Sequence, residues 1–315
     1  MIARTLAAWR GASVLLVAVL MFAGFALVTS RFASLANVLN LARQMSIIGV
    51  LGIGMTFVVL GGGIDLSVGS VVLFAGAIAG TLLLDGAGPW LAMLAALAGG
   101  GVVGAANGAL IERLRISPVI VTLGTMVAVR GLGLVLLQRH ASWISVEDPV
   151  FDALGTGSVA GIPASAAIML ALGALAALRL RFTRAGRELY AVGTNAAAAR
   201  LCGVNVAQVR LMTYVISGML AAVAGVLSIV RSGVVSPSIG LGLEFSAISV
   251  VVLGGARLSG GVGRIGRTLL GTAILVMVLN YLTIQGVPGS WQTTVTGALI
   301  LAAVLAERLL RRNVA

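Results

Sequence analysis

Ten apolar runs, separated by short connections that carry most of the charge, limit what this chain can fold into. The chain is 59% hydrophobic and only 10% charged, with a mean hydropathy of +1.12, whereas soluble domains carry about a quarter charged residues. At about 20 apolar residues per spanning helix, the sequence predicts one all-α polytopic membrane domain over 1–315 with about ten transmembrane helices. The first run extends from Gly11 to Thr29, and the others cover approximately 45–61, 66–84, 90–111, 118–137, 161–180, 211–230, 239–256, 266–285 and 291–307.

The first apolar run follows two arginines, Arg4 and Arg10, and Ala33 lies near a possible signal cleavage site. Signal peptides have an apolar region of about 7–15 residues. Because Gly11 to Thr29 is longer and more apolar runs follow it, we expect a retained signal-anchor helix.

The basic residues of this chain are all arginines, and their distribution predicts its orientation, since short cytoplasmic loops carry an excess of positive charge. With the N-terminus in the cytoplasm, the arginine-rich connections all fall on that side and the arginine-poor ones fall outside. The expected topology therefore has both termini in the cytoplasm. The cytoplasmic connections contain Arg113 and Arg115, the loop Arg179–Arg210, the group Arg257, Arg264 and Arg267, and the tail with Arg308, Arg311 and Arg312; the outer ones are Asp85–Pro89, Arg139–Pro163 and Gln285–Gly289.

The residue types needed for catalysis or metal binding are scarce. Cys202 and His140 are the only residues of their kinds, which excludes a disulfide framework and a cysteine-pair metal site. No Ser-His-Asp set or acid pair stands out, so we expect no catalytic residues and no metal. The glycine runs lack the Lys-Ser/Thr ending of a phosphate-binding loop, so this chain is not expected to bind ATP. The scattered arginines do not indicate nucleic-acid binding.

Two glycine clusters interrupt apolar runs in similar surroundings. Val58-Val-Leu-Gly-Gly62 leads to Leu66-Ser67, and Val251-Val-Leu-Gly-Gly255 leads to Leu258-Ser259. Glycine-interrupted segments in corresponding halves of a chain are typical of the pathway in transporters built from repeats. The clusters therefore suggest broken helices on a transport pathway.

Asp65 lies between two apolar runs, in Gly61-Gly-Gly-Ile-Asp-Leu-Ser-Val-Gly69. A carboxylate near membrane depth is costly and suggests a functional position that faces the bundle interior. Asp65 equally fits the N-cap of a helix that begins near Leu66. Both interpretations stay open, and they are compatible.

Other polar residues lie inside apolar runs. Arg130 is expected to reach the outer interface or to pair with Glu244 or a backbone carbonyl rather than to contact substrate. Asn107, Thr122, Thr125 and Asn280 could hydrogen-bond a sugar, although such residues more often join helices. The predicted pathway or helix-break set is Gly62, Gly63, Asp65, Ser67, Thr122 and Asn280.

Four motifs in order resemble the permease subunits of bacterial ABC importers of the ribose/monosaccharide class. The segment Gly62–Gly69 matches the family pattern without a change, and Ile116–Gly124 departs from it only at Val119, where the family usually has Phe. Thr183–Gly203 resembles the cytoplasmic loop of the family, with Ala185, Thr194 and Cys202 in place of Phe, Gly and Ser. Glu244–Gly263 resembles its late glycine-rich motif.

The resemblance implies a fold like that of type II importers and a dimer, formed with an identical or a sister permease subunit, with the pathway on its axis. It also implies a periplasmic sugar-binding protein and a cytoplasmic ATPase that holds ATP and magnesium. The loop at about 181–210 would carry the coupling helix that contacts the ATPase. The residues implicated are Gly186, Arg187, Glu188, Tyr190, Gly193, Asn195, Ala198, Ala199 and Gly203.

The expected function is therefore import of a monosaccharide across the bacterial inner membrane, in contact with membrane lipid. A permease for branched-chain amino acids or nucleosides is an alternative with the same architecture. A secondary transporter would need ion-coupling carboxylates, for which Asp65 is the only fair candidate. A membrane-embedded enzyme is disfavoured because the sequence shows no catalytic set.

Overall fold

The computed structural model describes residues 2–139 and 143–312. Helices dominate it, joined by a few two-residue strands. The helices are α1 (Ile2–Val28), α2 (Leu35–Leu60), α3 (Val68–Leu84), α4 (Pro89–Leu114), α5 (Pro118–Gln138), α6 (Pro149–Thr156), α7 (Ala164–Phe182), α8 (Arg184–Thr194), α9 (Ala196–Leu201), α10 (Val206–Ser232), α11 (Leu243–Leu253), α12 (Ile265–Ile284) and α13 (Gly289–Arg312). The strands are β1 (Ile144–Ser145), β2 (Ser158–Val159), β3 (Ile162–Pro163) and β4 (Val234–Val235).

Each of the ten predicted apolar runs lies on a helix of its own, so the polytopic helical fold is confirmed. Six described helices, α2, α4, α5, α7, α10 and α12, are long and apolar enough to cross a bilayer. Helix α3 is slightly shorter, at 17 residues. The count of ten spans stays a prediction. Helices α6, α8 and α9 lie in connections where the sequence predicted no span.

The predicted span 239–256 differs most from the structure. Helix α11 covers only Leu243–Leu253, which gives it a length of about 16 Å against a hydrocarbon core of about 30 Å. The chain from 236 to 242 is irregular apart from turns. Hydropathy alone could not reveal this, because it measures polarity and not backbone hydrogen bonding.

The arginine-rich connections meet at one end of the bundle, in keeping with the predicted orientation. At this end, the Arg210 guanidinium lies 3.6 Å from the Glu112 carboxylate, and Gly261 N–H donates to Leu60 O. At the opposite end, β1 pairs with β4, and Gln285 donates to the Thr29 hydroxyl. We call these the inner and outer ends.

Helix α10 lies at the centre and contacts α2, α3 and α4. Its close approach to α4 depends on Gly100 and Gly218, because a Cβ on either residue would meet the carbonyl oxygen of the other. Small residues of this kind let membrane helices pack with their backbones near each other. Apolar side chains drawn mainly from α2, α3, α10 and α11 form a large buried cluster in the bundle.

Candidate coupling loop and helix breaks

The two glycine clusters end their helices in the same way. After α2, Gly62 has φ +82° and Gly63 N–H donates to Val58 O at 3.0 Å. After α11, Gly255 has φ +75° and Ala256 N–H donates to Val251 O at 3.1 Å. Both are Schellman endings, in which the residue after the C-cap is left-handed, a conformation that favours glycine. The sequence similarity between these segments is thus matched by a shared local structure.

The predicted coupling loop folds into two short helices, α8 and α9. Side-chain oxygens cap them and the helix that follows: Thr183 accepts the Gly186 N–H, Asn195 accepts the Ala198 N–H, and Asn205 accepts the Gln208 N–H. Such caps supply partners for N–H groups that a helix start leaves free. Asn195, predicted as a site residue, therefore also defines where α9 begins.

Helix α8 is seated on both glycine breaks. A Cβ on Gly193 would overlap Leu60 O, the last carbonyl of α2, and would crowd Gly261 N in the second glycine segment. The Tyr190 hydroxyl donates to Gly263 O at 2.8 Å. Burial raises the pKa of Tyr190 above its usual value of 10.0, so the hydroxyl keeps its donor proton at neutral pH. Any displacement of α8 would disturb the inner ends of α2 and α12 together.

The opposite face of the loop is exposed. Arg187, Ala198 and Gly203 lie there, as does Leu201, whose side chain is 91% exposed. Sequence reasoning missed Leu201, although a leucine in a cytoplasmic loop of arginines and alanines was a usable signal. Single exposed apolar side chains are common on proteins, and Leu201 stands out because it lies in the predicted coupling loop.

Three predicted loop residues serve its internal structure in this chain. Ala199 is buried at 5% exposure, and a Cβ on Gly186 would overlap backbone oxygens at the end of α7. Glu188 receives a hydrogen bond from Arg184 at 2.6 Å, an exposed pair one helical turn apart that contributes about 0.3–0.5 kcal/mol.

Arg210 connects the end of the loop to the first break. Its Nε donates to Gly61 O at 3.2 Å, and its Nη1 lies 3.6 Å from the Glu112 carboxylate at the end of α4. Together with Gly193, Arg210 gives the loop two contacts on the turn that ends α2.

Asp65 is the centre of a buried polar network. Its Oδ1 accepts hydrogen bonds from the Ser67 hydroxyl at 2.6 Å and the Ser67 N–H at 3.0 Å. Its Oδ2 accepts the Ser217 hydroxyl of α10 at 2.8 Å. The Asn107 amide of α4 donates to Ser67, and the Thr125 hydroxyl of α5 donates to Asn107. The network joins four helices at the break, and Ser217 had no sequence signal.

The cap interpretation of Asp65 fits this geometry in part. Its carboxylate accepts the N–H of Ser67, in the turn that enters α3, but α3 itself begins at Val68. Thr122 lies next to the same turn, with its hydroxyl donating to Pro118 O at 2.9 Å and lying 3.5 Å from Ile64 O. Gly63 packs against the Tyr214 hydroxyl, for which the structure gives no hydrogen-bond partner.

Asn280 does not join this network, although the sequence grouped it with Asp65. Its amide exchanges hydrogen bonds of 3.0 and 3.1 Å with that of Asn37, and Asn37 also donates to Phe32 O. These contacts join α12 to the start of α2 near the outer end. The physical reason is position along the helix, since Asn280 lies close to the outer end of α12, whereas the break lies toward the inner ends.

Among the residues that the structure describes, no group of three or more histidine, cysteine or acidic side chains could hold a metal ion. His140 lies outside the described residues. The described site consists of helix caps, two helix breaks and a loop that packs against both breaks. Such an arrangement is suited to transmitting a movement of the loop to the helix ends.

Comparison with known proteins agrees with this geometry. A family model described as the permease component of the branched-chain amino acid transport system matches residues 37–304. The chain belongs to this family. The match covers both glycine breaks, the Asp65 network and the loop of α8 and α9. No solved structure matches the chain.

Curated relatives are similar over most of their length. The chain is 35% identical to a ribose import permease protein of Haemophilus influenzae, over 93% of this chain and 91% of the relative. It is 37% identical to the ribose import permease protein of Bacillus subtilis, over 86% and 84%. It is 35% identical to an L-arabinose ABC transporter permease protein of Azospirillum brasilense, over 95% and 88%. These matches confirm the resemblance to ribose-class permeases and identify the chain as a multi-pass protein of the bacterial inner membrane.

Proposed function

We propose that this chain is the permease subunit through which an ABC importer moves a monosaccharide from periplasm to cytoplasm. A separate ATPase would hold ATP and magnesium, and a periplasmic sugar-binding protein would deliver the substrate. A second permease subunit, identical or a sister chain, would complete the pathway. The similarity to ribose and arabinose permeases supports the sugar class.

The observation that carries the proposal is the contact of α8 with both glycine breaks, which we call the seat of α8. In it, Gly193 packs against Leu60 and Gly261, and Tyr190 donates to Gly263. A partner bound to the exposed face of α8 and α9 would have its displacement passed through Gly193 to Leu60, and through Tyr190 to Gly263. The Gly193 contact is between backbone atoms, and the Tyr190 contact runs through a half-buried ring to a backbone carbonyl. These contacts offer a route by which movement of the ATPase would reach the inner ends of α2 and α12.

The Asp65 network would supply the fixed part of this device. Its hydrogen bonds join α3, α4, α5 and α10 around the break. Buried networks that are satisfied in this way are rigid. Alternating access would then be a movement of the inner helix ends relative to this cluster.

The proposal is tested by reconstituting the chain with its ATPase and binding protein in proteoliposomes. Uptake of labelled ribose, arabinose, xylose, galactose and leucine is measured with and without ATP. We expect ATP-dependent uptake of at least one sugar and none of leucine. Uptake of leucine alone would reassign the substrate class, and uptake driven by an ion gradient without ATP would contradict the importer assignment.

The coupling role is tested separately by deleting Asn195–Gly203. This deletion removes α9 and the exposed Leu201 but leaves the seat of Gly193 and Tyr190. We expect the variant to reach the membrane, to lose uptake and to lose copurification with the ATPase. Normal copurification of this variant would show that the ATPase binds elsewhere.

A further inference from the structure

Residues Ser236–Gly242, which we call the re-entrant segment, run without regular structure alongside α3. At the start, Val235 packs on Gly76 and Gly80 of α3, and further on Gly240 contacts the backbone of Gly69. The distance along α3 between these contacts corresponds to about 10–16 Å of helix. The segment therefore descends from β4 at the outer end toward the middle of the bundle, where α11 begins.

The lower end of this segment lies at membrane depth. Gly69 closely follows Ser67, which receives a hydrogen bond from Asn107 inside the apolar run of α4. Irregular backbone at this depth does not face lipid, because its polar groups would lack partners there; it occurs where it is buried in protein or lines a water-filled cavity.

Several side chains of the re-entrant segment and of helix α11 after it are exposed on the surface of this chain. Pro237 and Ser238 are exposed, Leu241 is 63% exposed and Phe245 is 52% exposed. Since the irregular backbone of the re-entrant segment cannot face lipid, water or a second permease subunit must lie against it. Its polar groups favour water.

The charges near this surface are already engaged. Arg130 of α5 donates to Pro237 O at 2.8 Å and lies 3.5 Å from Ile239 O, and its positive charge also acts on the Glu244 carboxylate. The Glu244 carboxylate packs against Gly69 and accepts backbone hydrogen bonds at Gly242 and at Glu244 itself. The exposed remainder offers serine hydroxyls, backbone carbonyls and an aromatic ring, which suit a neutral ligand.

We infer that the re-entrant segment and Phe245 line the outer half of the translocation pathway and contact a neutral, polyhydroxylated substrate there. The Ser236 and Ser238 hydroxyls, now 3.0 Å from each other, would exchange hydrogen bonds with substrate hydroxyls. Phe245 would cover the apolar face of the sugar ring, in keeping with sites that combine aromatic walls with a few polar groups. This inference rests on the proposed function and adds the residues that meet the substrate.

The test compares two leucines of equal exposure. Leu241 in the re-entrant segment and Leu175 on α7 are each 63% exposed, so their cysteine variants differ in surroundings and not in burial. Each is made in a Cys202→Ser background, which removes the only native thiol and restores the residue usual in the family. The assembled importer in proteoliposomes is treated with a charged methanethiosulfonate reagent, which does not enter lipid.

We expect Leu241→Cys to react about tenfold faster than Leu175→Cys, because only the former meets water, and we expect the modification to block sugar uptake. Ser238→Cys should react with the reagent about as fast as Leu241→Cys, and this labelling rate covers the case in which the latter does not assemble. Equal, slow reaction of all three variants, both without nucleotide and in the vanadate-trapped state, would overturn the inference. So would spontaneous cross-linking between two copies at Leu241→Cys without any labelling.

Phe245 is tested by comparing Phe245→Ala with Phe245→Tyr. We expect the alanine variant to lose most sugar uptake while its ATPase activity is retained, and the tyrosine variant to keep uptake. If the importer with the native chain moves no sugar, the proposed function fails; if it moves sugar and Phe245→Ala moves it equally well, only this inference fails.

Discussion

The two glycine breaks share the sequence Val-Val-Leu-Gly-Gly and the same helix ending, but the chain then continues into different places. After Gly62 the chain turns back into the bundle, where the Asp65 carboxylate is buried at 1% exposure. After Gly255 the chain stays at the inner end, and the Arg257 N–H closes a turn onto Val262 O. The residue before Leu-Ser is an aspartate in the first segment and an arginine in the second. The ending at Gly62 thus leads into the buried Asp65 network, which holds it in place, and the ending at Gly255 leads into a turn at the surface.

This difference gives α8 two unlike supports. On one side, Leu60 belongs to a helix whose break is held by the Asp65 network. On the other side, Gly261 and Gly263 belong to a loop that leads directly into α12. A force on α8 should therefore move the second support more than the first, which makes the inner end of α12 the more mobile partner.

The largest expected effect comes from filling the seat itself. We predict that Gly193→Arg abolishes uptake while the protein stays in the membrane, because even a Cβ at this position meets Leu60 O and Gly261 N. Uptake and ATPase copurification are measured in parallel. Gly266→Arg is the matched control, since nothing lies within 4 Å of a Cβ there. Ordinary uptake and copurification in Gly193→Arg would contradict the seat.

The second prediction contrasts the charged residues of the two breaks. Asp65→Ala would leave the Ser67 and Ser217 hydroxyls without their acceptor, at a cost of about 3 kcal/mol in the free energy of unfolding. Transport should fall because the break is no longer held. Arg257→Ala on the surface turn should cost at most about 0.5 kcal/mol. Thermal unfolding in detergent checks both, and a similar melting temperature for Asp65→Ala and the native protein would remove Asp65 as an anchor.

The smallest expected effect tests whether the two endings are equivalent. Gly62→Ala and Gly255→Ala each force a left-handed conformation on alanine, at a cost of about 1 kcal/mol. Neither Cβ would meet a neighbour closer than 3.8 Å, so the losses should be equal. Paired melting curves check this, and a clearly larger loss at one site would mean that the endings differ in more than their continuation.

Much of this architecture could be predicted from the sequence because hydropathy and arginine placement act locally. Each of the ten apolar runs corresponds to a helix, and the loop of α8 and α9 lies at the arginine-rich end. The irregular structure of the first part of the predicted span 239–256 could not be foreseen. Ile239 and Leu241 give this part the hydropathy of a spanning helix. The separation of Asn280 from the Asp65 network could not be read from the sequence, because its partner Asn37 lies 243 residues away. Ser217 is one hydroxyl on an apolar helix, and only packing shows what it faces.

We propose that the loop of α8 and α9 lies in the cytoplasm and binds the ATPase, and Cys202 allows a test of this without any mutation. This cysteine is the only one in the chain, and it is exposed on the loop. A membrane-impermeant maleimide is applied to inside-out and right-side-out vesicles, with and without the ATPase. We expect labelling only in inside-out vesicles, and strong protection once the ATPase is bound. Labelling from the periplasmic side, or equal labelling with the ATPase bound, would contradict it.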